Sequence, residues 1–552
     1  MMAFDYNDGQ QFKPEQDYET ALRLLENPDK TANAVYLLEK AAQAGYAPAC
    51  MAMAWLFEEG KYVSKSKKSA VAWYQKAAEL GDADAKRILN ELERKSRRRI
   101  ILTAVTAILI VALAAAAVYI FCFSGLLKPS DGISIKLPPD ASLEEHDDIG
   151  EYGVSLNKLT EQYDTDAMKN GDINTYRILL RYNGTNLDLS SYHVVAAIVS
   201  DKLITLQFET AEDAEACFDY LNSLPDTSSV AMDRYKDIFS SAAPSSYSAS
   251  SPGMTTEHSD DSGYDYYTWG AKAMNMDKYA AYLRQSGLSD KKVTVAVIDS
   301  GFDARDEIVN DFGRDRIEDG LNVLSGLACD YDIVGHGTHV CSTILDCTRG
   351  LNVVIYPIGL STDSSPNPTD SAILLGIEKA AEIGADVVNM SLGGPEFSSQ
   401  SIEDDLIRET IRENGTTFVV AAGNDTVNCE DNRDCPAHID ECITVAAVDK
   451  AVIPAFFSNF GDCVDIAAPG VDILSYLPYD IEPAGYAEWP GTSMATPHIT
   501  ALAAMIRTEY DLEPKYVEAY IKAIGSGTLT KDGQNYGEGL PDASKLVEHI
   551  KP

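Results

Sequence analysis

Residues 293–301 read Val-Thr-Val-Ala-Val-Ile-Asp-Ser-Gly: a run of apolar and β-branched residues ending in an aspartate, a serine and a turn-forming glycine. A strand with one wet face alternates apolar and polar residues, whereas a continuous run of this kind fits a strand covered on both faces. Similar runs lie at 353–360, 386–392 and 416–422, with helical patterns at 371–383 and 402–413. Apolar strands alternating with helices predict an α/β unit, a doubly wound parallel sheet with helices on both faces. In such a sheet, sites form beyond the carboxyl ends of the strands.

Three short runs sit at such ends. Asp299 closes the first strand in VIDSG, His336 lies in GHGTHV at the start of a helix over 336–345, and Ser493 lies in GTSMATPH at the start of a helix over 492–510. A serine hydroxyl is a weak nucleophile until a base takes its proton, which an imidazole does with one ring nitrogen while a carboxylate holds the other. A serine at a helix N-terminus also offers its own backbone N–H to a developing oxyanion. A second donor is needed, and Ala421-Ala-Gly-Asn424 supplies a side-chain amide after a buried strand. Taken singly, Asp299 could cap a turn, His336 could be a core histidine and Ser493 could be an N-cap.

The order Asp, His, Ser in these surroundings resembles the subtilisin-like serine proteases (subtilases) over about residues 266–545. The resemblance implies that Asp299, His336 and Ser493 are catalytic and that Asn424 is the oxyanion donor. It also implies that Ser391, Leu392 and Gly393 bind substrate as an edge that pairs with an extended peptide. His339 is read as structural and His498 as packing under the Ser493 helix. No cofactor and no catalytic metal are required, and a structural calcium is compatible but attached to no residues. Cys341 departs from the small residues usual at that place in the family. The loop NCEDNRDCP at 428–436 looks particular to this chain. A family position resembled by Cys463 implies a disulfide from it to Cys429 or Cys435.

Outward from this unit, the composition divides the chain. Residues 1–99 are near charge balance, so the net charge of −40 lies almost wholly beyond them. So acidic a surface repels phosphates and excludes nucleic acid as a partner. Residues 100–123 (IILTAVTAILIVALAAAAVYIFCF) carry no charge and are long enough for a transmembrane helix. Arg94, Lys95, Arg97, Arg98 and Arg99 form a basic stop at 94–99, so the N-terminal part is expected in the cytoplasm and residues 124–552 outside. The outer part holds eight of the ten cysteines, an even count that permits disulfides.

Within residues 1–93, Lys40-Ala-Ala-Gln-Ala-Gly45 returns as Lys76-Ala-Ala-Glu-Leu-Gly81, and Ala49 and Ala85 follow at the same offset. Small residues at helical spacing with a closing glycine predict paired helices in a repeat. The segment resembles the Sel1-like repeat, which implies an unknown cytoplasmic protein partner. Residues 124–170 read as an acidic linker. Residues 171–236 read as a small α+β domain, with strands at 176–182 and 202–208, a helix over 210–224 capped by Thr210, and a last strand near 230–233. Its place ahead of the catalytic unit resembles a subtilase propeptide, with a flexible joiner and a maturation cut at 237–265; the catalytic domain is 266–552.

Two functions follow. One is a single-pass, membrane-anchored serine endopeptidase acting on proteins or peptides outside the cytoplasm. The other is a non-catalytic peptide-binding sensor that links an outer subtilase-like domain to partner recruitment inside.

Overall fold

In the computed structural model, the run at 293–299 is the third strand of a seven-stranded parallel sheet, with a strand on either side. The structure describes residues 13–24, 30–59, 67–82, 85–89, 133–163, 176–200, 202–234, 258–260, 263–362, 368–395, 402–432 and 434–548. The chain divides into two units, Met1–Gly132 with Glu548–Pro552, and Ile133–Val547. The expected membrane span at 100–123 and its basic stop lie outside the described residues. Among the described residues no helix is long and apolar enough to cross a membrane.

The N-terminal unit contains the helices Pro14–Leu24, Thr31–Gln43, Ala47–Glu59 and Lys67–Glu79, each packed on the next. The repeated Gly45 and Gly81 end their helices alike, with φ of +82° and +97°. In the first copy the N–H groups of Gly45 and Tyr46 donate to Ala42 and Ala41 oxygens, both at 3.1 Å. In the second, Gly81 and Asp82 donate to Ala78 at 3.1 Å and Ala77 at 3.0 Å. This closes the last carbonyls of each helix with a left-handed residue that glycine adopts without strain. Ala49 and Ala85 are fully buried, as close helix packing requires.

In the larger unit, the sheet runs Leu321–Asn322, Val353–Gly359, Val293–Asp299, Val387–Met390, Thr417–Ala421, Ile443–Val448 and Ile466–Pro469. The strands after Val293–Asp299 first lie to one side of it and then to the other. The winding therefore reverses between Val293–Asp299 and Val387–Met390, which opens a crevice at their carboxyl ends. Helix Asp370–Glu382 matches the predicted 371–383, and Ile402–Asn414 the predicted 402–413. The buried helix Thr492–Glu509 packs on several strands and on helix His336–Cys347.

Ahead of this sheet lies a five-stranded one in the order Ser142–Glu145, Val194–Val199, Ile204–Phe208, Arg177–Tyr182, Thr227–Met232. Helix Ala211–Ser223 begins as predicted, with the Asp213 N–H donating to the Thr210 hydroxyl at 3.2 Å. The reading of 124–170 as a linker needs correction. Ser142–Glu145 pairs in parallel with Val194–Val199, and Ile149–Tyr163 is a helix. All four residues of that edge strand are exposed, so it carries no apolar alternation to betray it. The small domain therefore starts near residue 133, and it also contains Val194–Val199, which the sequence reading omitted.

The start of the catalytic domain is pinned by a buried histidine. His498 Nδ1–H donates to the Met494 carbonyl at 2.9 Å. Its Nε2 accepts from the Thr268 hydroxyl at 2.9 Å, and Thr268 in turn caps helix Trp269–Ala273 through the Gly270 N–H at 3.1 Å. Both ring nitrogens are used in the neutral form, and burial pushes the His498 pKa down to about 4. His498 thus packs under the Ser493 helix, as the sequence suggested. A histidine held neutral in the native state and free to protonate when unfolded favours folding fully above pH 6.5; that contribution is lost as pH falls from 6.5 toward 4. The shift corresponds to about 3 kcal/mol at the acid end. Urea unfolding of the Ser493→Ala chain at stepped pH should show stability falling across this window. His498→Gln should lower the slope there by about one proton; an unchanged slope would remove His498 from the account.

Candidate active site

Asp299 is the last residue of strand Val293–Asp299, so its carboxylate emerges at the crevice. Its Oδ1 accepts from His336 Nδ1–H at 2.7 Å and from the Ser300 N–H at 2.8 Å. Both side chains are buried, with 1% of each exposed. The bond fixes the tautomer: with the Nδ1 proton turned to the carboxylate, Nε2 keeps the basic lone pair.

Ser493 is the second residue of its helix, and its hydroxyl donates to the Ser391 carbonyl at 3.0 Å. The return bond, from Ser391 Oγ to the Ser493 carbonyl at 2.9 Å, has a sequence cause. The helical donor to that carbonyl would be the N–H of residue 497, which is proline and has none. Ser391 itself is held by Asn389 Nδ2 at 3.0 Å, and Asn389 accepts from Thr500 Oγ1 at 2.7 Å. The two chain segments are thus cross-linked where the crevice opens.

Asn424 follows strand Thr417–Ala421. Its Oδ1 accepts from the Thr492 N–H at 2.8 Å and the Thr492 hydroxyl at 2.9 Å. A backbone N–H can meet only the oxygen end of an amide, so Nδ2 is the end of Asn424 left to donate. Of the proposed substrate edge, Ser391 touches Ser493, Leu392 is buried in the core and Gly393 is half-buried. Beyond them Gly394–Pro395 pairs with Asp434–Cys435.

The sequence reading missed what joins the two motifs. Asp332 is buried, and its Oδ1 accepts from Ser300 Oγ at 2.8 Å, Val334 N–H at 3.1 Å and Gly335 N–H at 2.9 Å. Its Oδ2 accepts from the Thr338 N–H at 2.9 Å and hydroxyl at 2.7 Å. Ser300 Oγ also accepts from the Gly337 N–H at 2.9 Å. A Cβ at Gly337 would collide with the Gly301 carbonyl, so the Asp299 turn and the His336 helix meet backbone to backbone. An aspartate three residues before a glycine at a helix start was the available signal. Asn459 was also missed: its Oδ1 accepts from the Asp425 and Val427 N–H groups at 2.9 and 3.1 Å, and its Nδ2 donates to Ala422, which shapes the Asn424 loop.

His339 is structural, as expected. Its Nε2–H donates to the Ile473 carbonyl at 2.9 Å, and burial holds its pKa down at about 3. It stacks on Trp489, whose ring centroid is 6.5 Å from that of His336. Cys429 is joined to Cys463 in a disulfide. Cys217, Cys329, Cys341, Cys347 and Cys442 are unbridged and buried, so the even count did not mean full pairing. Burial raises the Cys341 thiol well above its ordinary range, which makes it an inert neighbour rather than a nucleophile. Among the described residues no group of three or more His, Cys, Asp or Glu side chains is arranged to hold a metal.

Residues 290–538 match the subtilase family, and residues 25–46 and 47–82 match the Sel1 repeat. Subtilisin DY of Bacillus licheniformis is 34% identical over 285 residues, covering 49% of this chain and 95% of that protein. Subtilisin of Bacillus pumilus is 33% identical over 274 residues, with 47% and 93% covered. Among solved structures, a cold-adapted subtilisin-like serine proteinase aligns at 31% identity over 46% of this chain and 88% of that one, with a TM-score of 0.39. Nearly the whole of a subtilisin is therefore matched by the part of the chain that carries Asp299, His336, Asn424 and Ser493, and the chain belongs to the subtilase family of serine proteases.

Proposed function

We propose that this subtilisin-like serine protease is a membrane-anchored endopeptidase working on the extracytoplasmic side, with Asp299, His336 and Ser493 as its triad. The observation that carries the chemistry is the buried 2.7 Å bond from His336 to Asp299, in the same crevice as a serine at a helix N-terminus. Ser493 Oγ turns from the Ser391 carbonyl to His336 Nε2 and attacks the scissile carbonyl carbon as the imidazole takes its proton. The oxyanion is met by the Ser493 N–H and Asn424 Nδ2. His336 then protonates the amine as the C–N bond breaks, and a water repeats the sequence to free the acid. The stretch 391–393 holds the peptide as an added strand. No cofactor enters these steps.

Anchoring rests on the uncharged run at 100–123 and its basic flank, and the Sel1 repeats are then a cytoplasmic surface for a protein partner. Residues 133–234 act as the propeptide. Tyr266 is buried and the Tyr267 and Thr268 N–H groups donate to Asp346 at 3.0 Å, so the self-cut falls upstream, within 240–257, outside the described residues.

Ser493→Ala should cut peptide turnover by about 10⁶-fold, the scale seen when a subtilisin loses its nucleophile, with the fold kept. It should also leave the joiner uncut; turnover near the wild-type rate would end the triad reading. Asp332→Asn should lower kcat by about 10²-fold with little change in KM, since it loosens the placing of Asp299 against His336. An equal rise in KM at constant kcat would speak against that positioning role. Protease added outside intact cells should spare residues 1–99, and their digestion would invert the topology.

A further inference from the structure

Beyond strand Ile466–Pro469 the chain folds into a hairpin, Ile473–Tyr476 paired with Tyr486–Trp489, to which the triad chemistry gives no task. Its base stands at the triad. Trp489 lies four residues before Ser493 and is half-buried. Its ring centroid is 6.5 Å from that of His336. The neck of the hairpin stands there too. A Cβ on Gly335, the residue before His336, would meet Leu477 at 3.1 Å, Pro478 at 3.3 Å and Ile481 at 3.4 Å. The turn beyond the neck reaches into solvent, with Tyr479 47% and Ile481 40% exposed.

Arg305, in the segment after Asp299, clamps this turn. Its Nη1 donates to the Leu477 carbonyl and to the Asp303 carboxylate, both at 2.6 Å, and its Nη2 to the Gly485 carbonyl at 2.8 Å. The guanidinium also lies over the Tyr479 ring, 4.3 Å from its centroid, and the Tyr479 hydroxyl donates to Glu307. A planar fork of donors can bond both ends of a turn at once while stacking on an aromatic face, which an ammonium cannot do. Gly485 makes the approach possible: its φ is +80°, and a Cβ there would press on Arg305 Nη2 at 2.8 Å.

The acylation step decides which part of a substrate meets this hairpin. The carbonyl oxygen is drawn to Asn424 and the Ser493 N–H, whereas the departing nitrogen must come within reach of His336 Nε2. The residues that follow the scissile bond therefore pass the His336 ring, beside Trp489 and the hairpin neck. The hairpin is also charged in one sense. Residues 473–489 contain Asp480, Glu482 and Glu488 and no Lys or Arg. Asp480 is exposed, and Glu482 is half-buried with its Oε1 accepting from the Ala484 N–H at 3.1 Å. Arg305 is paired with Asp303, so its charge is not offered to a substrate. An indole face attracts a cation, and carboxylates along the same wall reinforce that choice and repel an acidic residue.

We propose that hairpin 473–489, clamped by Arg305, walls the leaving-group side of the cleft and selects peptides with Lys or Arg at one of the first two positions after the scissile bond. This rests on the protease reading, and the test separates the two. The full wild-type chain, in detergent, is given a short peptide anilide, whose p-nitroaniline leaving group carries no residue past the cut. It is also given internally quenched peptides that are identical before the cut and carry Lys, Arg, Ala or Glu in the two positions after it. The Lys and Arg peptides should be cut with kcat/KM about tenfold above the Glu peptides, the scale of one exposed cation–π contact with one or two surface ion pairs. The gap should narrow as salt is raised. Arg305→Met should raise KM for the Lys and Arg peptides and spare the anilide. Because that variant could unfold the turn, Asp480→Asn combined with Glu482→Gln serves as a second probe and should narrow the gap by about threefold, again with the anilide unchanged. Hydrolysis of the anilide without preference among the peptides would overturn the proposal alone, as would a gap unchanged in the acid double variant. No hydrolysis of the anilide would overturn the protease reading, and the proposal with it.

Discussion

The close approach of two backbone turns governs this active site. The turn after Asp299 and the first turn of the His336 helix touch where Gly337 has no side chain, and the buried Asp332 carboxylate binds both. A buried carboxylate is costly unless its lone pairs are filled. Five donors fill those of Asp332, so its solvation is satisfied only when the two turns are in register. The Asp299–His336 bond is thus a consequence of backbone placement, held from below rather than by its own strength. This is the arrangement a preorganised site needs, because a general base is useful only within hydrogen-bond reach of its proton.

The serine arm is fixed by a different device. Pro497 leaves the Ser493 carbonyl without a helical donor, and Ser391 supplies one. That bond joins the central helix to the strand end beside the crevice. Thr492, one residue earlier, orients Asn424 by bonding its oxygen. The proposed nucleophile, oxyanion amide and substrate edge are therefore adjusted together, by Thr492, Ser493 and Pro497 in the opening turns of one helix.

The parts legible in the sequence were those whose physics is local. The run 293–298 is apolar or β-branched because both faces of its strand are covered, and the helix starts at His336 and Ser493 carry their own glycine signals. The repeat glycines Gly45 and Gly81 announced their left-handed caps. What escaped depends on partners distant in sequence. Strand Leu321–Asn322 is two residues long, and Ser142–Glu145 is an exposed edge, so neither has a pattern to read. Helix Ile149–Tyr163 buries Tyr152 and Leu156, but it sits in acidic surroundings that read as a linker. Asp332 went unread, because its spacing to Gly335 marks only a local turn and does not reveal that Ser300 converges on it as well. The cysteine count permitted disulfides without assigning them: burial accounts for five of the outer thiols, and among the described residues Cys429 and Cys463 are joined.

The central claim is that Ser493 is an activated nucleophile, made so by His336 and Asp299. The most direct measurement is reaction of the folded full chain with a fluorophosphonate probe, followed by mass mapping of the adduct. The account predicts one adduct, on Ser493, formed rapidly by the folded chain and lost when His336 is replaced by alanine. A folded chain that takes no label at Ser493, or labels equally without His336, would contradict it.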